Sequence, residues 1–252
     1  MDLQLHDRTV LVTGGTRGIG RAVALAYAGE GARVALTYAN DEGAATKVVD
    51  EIAAAGGRAA ALFLDLGDRR SIEAAVAATV DTFGGLDVLV ANAVRWPVDA
   101  AGPLADLDTD TWDDALRTNL EGTVATVRAA LPRLRASDAG RVVLVSSGVS
   151  RHGFAGATAY ATAKAGLDGL VAALKWEGGP DGILVNIVSP GFTVTENNLA
   201  HLPDELRESV RVTTPSTRLS VPDDVAGAVL YLGCPANGNV TGAYVPVAGG
   251  RD

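Results

Sequence analysis

The chain has 252 residues, 48% of them hydrophobic, with 30 acidic against 21 basic side chains and a net charge of −9. Such a charge repels nucleic-acid phosphates and acidic proteins, so a small-molecule partner is expected, with neither nucleic acid nor membrane bound. One cysteine, Cys234, excludes an intramolecular disulfide, and His6, His152 and His201 lack the spacing of a metal site, so no metal is expected.

From the start of the chain, apolar runs alternate with helix-forming stretches. Strands are predicted at 9–13, 33–37 and 59–64, each followed by a helix, at 18–28, 41–55 and 69–83. A fourth strand at 86–91 leads to a long helix at 111–134, and a fifth at 141–146 precedes a helix at 157–176. A sixth strand at 183–188, a helix at 222–232 and a last strand at 243–247 complete the series. The polar stretch 193–217, broken by Pro203 and Pro215, interrupts the alternation and reads as a substrate lid. No linker divides the chain, so residues 1–252 are expected to form one α/β domain. Seven parallel strands joined by helical crossovers predict a doubly wound sheet, and a glycine turn so early favours that open sheet over a closed barrel. The apolar runs fall short of the ~20 residues that cross a bilayer, and Met1-Asp2-Leu3-Gln4 lacks a basic region followed by a hydrophobic one, which predicts a cytoplasmic protein.

Two segments carry chemistry. Thr13-Gly14-Gly15-Thr16-Arg17-Gly18-Ile19-Gly20 lies between a strand and a helix, where glycine admits close backbone approach and unpaired helix N–H groups suit a pyrophosphate. Tyr160-Ala-Thr-Ala-Lys164 places a phenol and an ammonium on one helix face, their Cβ atoms roughly 5–6 Å apart. An ordinary phenol has a pKa of about 10, and a neighbouring cation is expected to lower it. Ser147 ends the apolar run Val142-Val143-Leu144-Val145, at a strand end where open sheets place ligands. The plainer alternative is a packed tyrosine, a solvated lysine and an ordinary glycine loop.

Taken together, Thr13-Gly14-x-x-x-Gly18-x-Gly20, Asp65, Asn92-Ala93, Asn119, Ser147, Tyr160-x-x-x-Lys164, Asn186 and Pro190-Gly191 resemble the short-chain dehydrogenase/reductases in order and approximate spacing over essentially the whole chain. Within that family the chain looks most similar to β-ketoacyl reductases and polyketide ketoreductases. The resemblance implies a Rossmann-type fold and hydride transfer between a nicotinamide cofactor and a carbonyl or alcohol. It implies that Tyr160 protonates the carbonyl oxygen, that Lys164 lowers the Tyr160 pKa and holds the nicotinamide ribose, that Ser147 fixes the substrate oxygen, and that Asn119 anchors a water relaying protons to Lys164. It further implies cofactor contacts from Gly14, Thr16, Arg17, Gly18, Ile19, Gly20, Tyr38, Asp65, Leu66, Asn92, Ala93, Pro190, Gly191, Thr193 and Thr195, with Asp65 at the adenine amino group. Homotetramers are common in the family, and Ala161, Ala163, Ala165, Gly166 and Gly169 would permit close helix contact.

NAD-using forms often carry an acid after the second strand. Here Tyr38 stands there and Arg17 is placed to reach a 2′-phosphate, so NADPH is expected over NADH, although Asp41 and Glu42 lie close by. The family's Asn-Asn-Ala-Gly reads Ala91-Asn92-Ala93-Val94, which puts the local backbone in question. Arg95, Trp96, His152, Phe154 and Phe192 are candidate pocket residues. The acidic molecule, with Asp181 where an arginine is often found, points to a free, bulky or cyclic ketone of polyketide type in place of an acyl-carrier substrate. The alternatives are a 3-oxoacyl-carrier-protein reductase, an NAD-dependent secondary alcohol dehydrogenase and, less favoured, a non-catalytic cofactor-binding regulator.

Overall fold

A computed structural model describes residues 1–95, 101–201 and 203–251. Seven parallel strands form one sheet: β1 (Thr9–Val12), β2 (Arg33–Tyr38), β3 (Arg58–Phe63), β4 (Val88–Ala91), β5 (Arg141–Val145), β6 (Leu184–Pro190) and β7 (Tyr244–Val247). They lie in the order β3-β2-β1-β4-β5-β6-β7. The chain thus winds outward from β1 to β3, then returns to β4 on the other side of β1. That reversal leaves a crevice at the carboxyl ends of β1 and β4, where open α/β sheets bind ligands.

Both faces of the sheet are covered, which is why the central strands are apolar without alternation. All residues of β1, β4 and β5 are buried. Each Val or Leu so enclosed stabilises the fold by roughly 1.5–3 kcal/mol relative to exposure. On one face pack α1 (Gly18–Gly29), α2 (Glu42–Ala54) and α10 (Pro222–Gly233), with Tyr27, Val225 and Val229 fully enclosed. On the other lie α3 (Arg69–Phe83), α4 (Thr109–Leu116), α5 (Gly122–Leu134) and α7 (Thr158–Gly178). The sequence predicts one long helix over 111–134. The structure instead breaks it with a π-helical turn at Arg117–Glu121, which carries Asn119.

Two features fall outside the predicted elements. A short helix α6 (Val149–His152) follows Ser147, and the polar stretch 193–217 holds α8 (Glu196–His201) and α9 (Asp204–Val212). Leu206 and Val210 share one face of α9, but no residue of the helix is buried, so that face is not packed on the core. Among the described residues no helix is long and apolar enough to cross a membrane.

Candidate active site

The glycine turn is built from the strand ends upward. Thr13 closes β1, and its Oγ1 accepts hydrogen bonds from the Asn92 and Ala93 backbone N–H groups at 3.0 and 2.9 Å. Asn92 Nδ2 donates back to the Thr13 and Gly14 carbonyls at 3.0 and 3.2 Å. The Gly14 N–H donates to Thr37 Oγ1 at 3.1 Å. The first turn is thereby tied to both β4 and β2. Gly14 takes φ +67° and Gly18 φ +51°, and a Cβ on Gly20 would strike the Gly14 carbonyl and come within 2.5 Å of Asn92 Nδ2. Only glycine lets the chain turn this tightly into α1.

Asp41, Asp68 and Asp108 cap α2, α3 and α4 with their carboxylates, whereas Arg17 ahead of α1 makes no side-chain cap. The first N–H groups of α1 are therefore left without a side-chain cap just beyond the carboxyl end of β1, together with the positive end of the helix dipole. Ile19 packs on the core beneath, and Thr195 closes the turn from the opposite side, its Cγ2 within 3.2 Å of a Cβ on Gly18. Thr16 and Thr195 are both half-buried. The cradle is polar, open and electropositive, which fits the diphosphate of a dinucleotide.

A second cluster hangs from the end of β5. Ser147 follows the strand, and its Oγ accepts from the Val149 N–H at 3.3 Å and hydrogen-bonds Tyr160. Lys164 lies one turn beyond Tyr160 and is 3% exposed. Its Nζ donates to the Val145 carbonyl at 2.9 Å and lies 5.8 Å from the Tyr160 ring centroid. Ser146 Oγ donates to the Lys164 carbonyl at 3.3 Å, so α7 is held against the strand at the level of these side chains. Ser147, Tyr160 and Lys164 are thus brought together as the sequence predicts.

Their protonation differs from the expectation. Burial pushes the Tyr160 phenol up to about 12, and the hydrogen bond with Ser147 only partly offsets it. Burial likewise pulls the Lys164 ammonium down to about 8. The ammonium was expected to acidify the phenol, but it is directed at the Val145 carbonyl, and loss of hydration dominates both groups.

Asn119 also differs in detail. Its Oδ1 accepts from the Arg95 N–H at 3.0 Å, while Nδ2 donates to the Arg95 and Ala115 carbonyls at 2.9 and 3.1 Å. The amide expected to anchor a water is committed to stapling the backbone after β4. Val94 has no left-handed backbone and is 47% exposed, so the position where the family has glycine accommodates a β-branched side chain by turning it outward.

The remaining predicted residues flank the crevice. Asp65 Oδ1 accepts from the Gly67 N–H at 2.8 Å and from Arg95 Nη2 at 3.2 Å. Leu66 packs under the first residue of α5, where a Cβ on Gly122 would strike its carbonyl. Pro190 ends β6, and Gly191 passes so close to β7 that a Cβ there would lie 2.6 Å from Ala248 Cβ. Thr193 is buried, with Oγ1 on the Gly191 carbonyl at 3.2 Å, and Thr195 Oγ1 accepts from the Asn198 N–H at 3.2 Å. Tyr38 hydrogen-bonds Glu42, which raises the phenol's pKa after a still larger effect of desolvation. Arg17 is exposed, and its guanidinium has no hydrogen bond or ion pair among the described residues.

Of the candidate pocket residues, His152 and Phe154 are exposed around α6 and Phe192 is half-buried after β6, while Trp96 lies outside the described residues. Arg95 does not line a pocket as expected; its guanidinium is turned to Asp65 and Asp114. Ala163 and Gly166, expected to serve helix contacts between copies, are used internally. Ala163 is fully buried, and a Cβ on Gly166 would meet Leu120 Cδ1 at 2.7 Å. The sequence reading missed Thr37 and Ser146, which brace the two clusters; their strand-end positions were the available signal.

Comparison with known proteins agrees with this arrangement. A family model described as enoyl-(acyl carrier protein) reductase matches residues 14–252. The chain is 39% identical to an L-rhamnose 1-dehydrogenase (NAD(P)(+)) of Sphingomonas sp., over 98% of this chain and 96% of that one. It is 36% identical to a 3-oxoacyl-(acyl-carrier-protein) reductase of Staphylococcus aureus, over 96% of this chain and 97% of that one. A crystal structure of a short chain dehydrogenase from Burkholderia cenocepacia in complex with NADP superposes with a TM-score of 0.90 at 37% identity, covering 98% of each chain. With a glycine cradle on β1, a serine on β5, a tyrosine–lysine pair on α7 and these relatives along its length, the chain belongs to the short-chain dehydrogenase/reductase family and is an oxidoreductase acting on CH–OH and C=O groups.

Proposed function

We propose that the protein is an NADP(H)-dependent reductase of a free, bulky or cyclic ketone. The observation that carries the reading is the convergence of Ser147, Tyr160 and Lys164 at the end of β5, on the sheet edge that also bears the glycine cradle. The bound nicotinamide cofactor would supply or accept a hydride. Everything else falls to the chain's own side chains. Ser147 holds the substrate oxygen, and Tyr160, protonated at neutral pH, gives that oxygen a proton. Lys164 has spent one of its three N–H donors on Val145, which leaves two for ribose hydroxyls and for returning a proton toward Tyr160. Asn119 acts as a positioning residue, holding the backbone that follows Asn92 and Ala93.

Gly14, Thr16, Gly18, Ile19, Gly20 and Thr195 take the diphosphate, Pro190, Gly191 and Thr193 the carboxamide side, and Asp65 with Leu66 the adenine. Arg17 is the cation for a 2′-phosphate. The acids that would oppose it are occupied, Asp41 in capping Ala44 at 2.8 Å and Glu42 in its bond to Tyr38. The solved relative in complex with NADP supports the same preference.

Segment 193–217 closes over the substrate, with Leu199, Leu206 and Val212 exposed on it and an open pocket of about 340 Å³ lined by Val194, Leu199 and Leu219 together with the charged Asp204, Arg207, Glu208 and Arg211. Phe154 and Val94 add apolar surface to the site's surroundings. The net charge disfavours an acidic carrier protein, and Asp181 is paired with Arg135 at 2.7 Å, which leaves that cation neutralised. The exposed face of α7, with Ala165, Gly169 and Trp176, is where copies would pack in a homotetramer.

The test is a ketone panel, including polycyclic aromatic ketones, followed by loss of NADPH absorbance, with NADPH and NADH compared. A lower KM for NADH overturns the cofactor assignment, and efficient turnover of acyl-carrier thioesters overturns the substrate class. A second reading, oxidation of a sugar at a CH–OH group, is favoured by the likeness to L-rhamnose 1-dehydrogenase and is scored by adding aldoses with NADP to the same panel.

A further inference from the structure

Arg95 is held at both ends. Its backbone N–H and carbonyl are both engaged by the amide of Asn119, itself 1% exposed, so the residue cannot slide along the crevice. Its guanidinium forks between two carboxylates from different parts of the fold. Nη2 meets Asp65 Oδ1 at 3.2 Å beyond β3, and Nη1 lies 3.4 Å from both oxygens of Asp114 on α4. Asp65 Oδ1 also accepts the Gly67 N–H at 2.8 Å, whereas Asp65 Oδ2 has no hydrogen bond among the described residues. One oxygen of this carboxylate is therefore fixed by two donors, and the other is left as an acceptor beyond the end of β3. A carboxylate held so cannot rotate to exchange its oxygens without giving up both bonds.

We propose that Arg95 is a positioning residue for base recognition. It orients Asp65 so that the free Oδ2 reads an amino group on the purine of the dinucleotide. The inference rests on the placement of adenine at Asp65 given above. It goes beyond that placement in making selectivity for an amino purine depend on a guanidinium that itself touches no part of the ligand.

The experiment measures dissociation constants by fluorescence titration of the full chain with NADPH and with reduced nicotinamide hypoxanthine dinucleotide phosphate. The analogue presents a carbonyl where adenine has its amino group. Wild-type protein should prefer NADPH by about tenfold, since the analogue sets an acceptor against an acceptor. Arg95→Met should weaken NADPH about fivefold to tenfold, leave the analogue within about twofold and so collapse the preference, because exposed pairs of this kind each contribute modestly. Asp65→Asn should erase the same preference, and the double variant should add nothing further. Arg95→Met that retains the wild-type preference, or that weakens both ligands equally, overturns the role of Arg95. Wild-type protein that binds both dinucleotides equally overturns the placement of adenine at Asp65 and the inference with it. Melting temperatures of the unliganded variants distinguish a local effect, with Tm within about 2 °C of wild type, from general loosening, which overturns the proposal.

Discussion

Replacing Lys164 with methionine should make the unliganded protein more stable while removing its activity. The ammonium is 3% exposed, and burial lowers its pKa from 10.5 to about 8. At 1.36 kcal/mol per pH unit this means that enclosing the charge costs the fold about 3 kcal/mol at neutral pH. Lys164→Met removes that cost, keeps an apolar stem of similar length and gives up the bond to the Val145 carbonyl, a loss of about 1 kcal/mol. The net gain of about 2 kcal/mol corresponds to a rise in Tm of roughly 4–8 °C for a chain of this size. The sign follows from linkage. Below about pH 8 folded and unfolded chains both carry the charge and the penalty is complete; between about 8 and 10.5 the folded protein sheds the proton first and the penalty fades. Calorimetry at pH 7 and pH 10 should therefore show the variant's advantage large at the first and reduced at the second, with turnover lower by at least about a hundredfold. A variant less stable than wild type at pH 7, or an advantage equal at both, refutes the assignment of a penalised charge.

Tyr160→Phe should lower kcat by about 10²–10⁴ while the cofactor Kd, measured by fluorescence, changes less than about threefold. Arg17→Ala should raise the KM for NADPH about tenfold or more and leave that for NADH nearly unchanged, since the guanidinium has no other partner to lose among the described residues. Gly20→Ala sets a Cβ against the Gly14 carbonyl, a backbone atom that cannot move aside, and should cost about 3 kcal/mol, read as a Tm lower by roughly 6–12 °C. Reduction should run at a constant rate from pH 6 to about 7.5 and decline as Lys164 loses its proton near 8, whereas oxidation of the product alcohol should accelerate with pH toward the Tyr160 value of about 12. Initial rates in both directions across pH 6–10 check this, and a reduction rate rising with pH contradicts it.

The fold was legible because strands buried on both faces cannot hide their composition: Val142-Val143-Leu144-Val145 can only be a central strand or a short buried helix, and Ser147 and Gly148 end it. The site was legible for a related reason, since its members sit at strand ends or at helical spacing, as Thr13, Ser147, Tyr160 and Lys164 do. What escaped is what depends on contacts between distant segments. The π turn at Arg117–Glu121 has no periodic signature, because it is tied to a contact with a distant segment, its own Asn119 bonding the Arg95 backbone after β4. The engagement of Arg95 with Asp65 and Asp114, 30 and 19 positions away, is likewise invisible to spacing. Residue type places Arg95 beside an active site, but only the tertiary structure shows that it faces carboxylates and not substrate.

The one chemical expectation that the structure reversed also explains how the site works. A lysine one turn from a tyrosine predicts an acidified phenol if both are hydrated and the ammonium faces the ring. Here Lys164 is buried and Tyr160 half-buried, and desolvation acts on them in opposite directions, raising the acid that becomes charged on losing its proton and lowering the one that is charged while it keeps its own. The result is a neutral phenol beside an ammonium that titrates near pH 8, a pair in which moving one proton from tyrosine to substrate and one from lysine to tyrosine leaves only a neutral amine behind. Reduction of a ketone consumes one proton at oxygen, so the resting state holds the proton where that reaction needs it. The cost in stability at Lys164 is the counterpart of that readiness, because an ammonium stable in its pocket would have little tendency to release a proton to its neighbour.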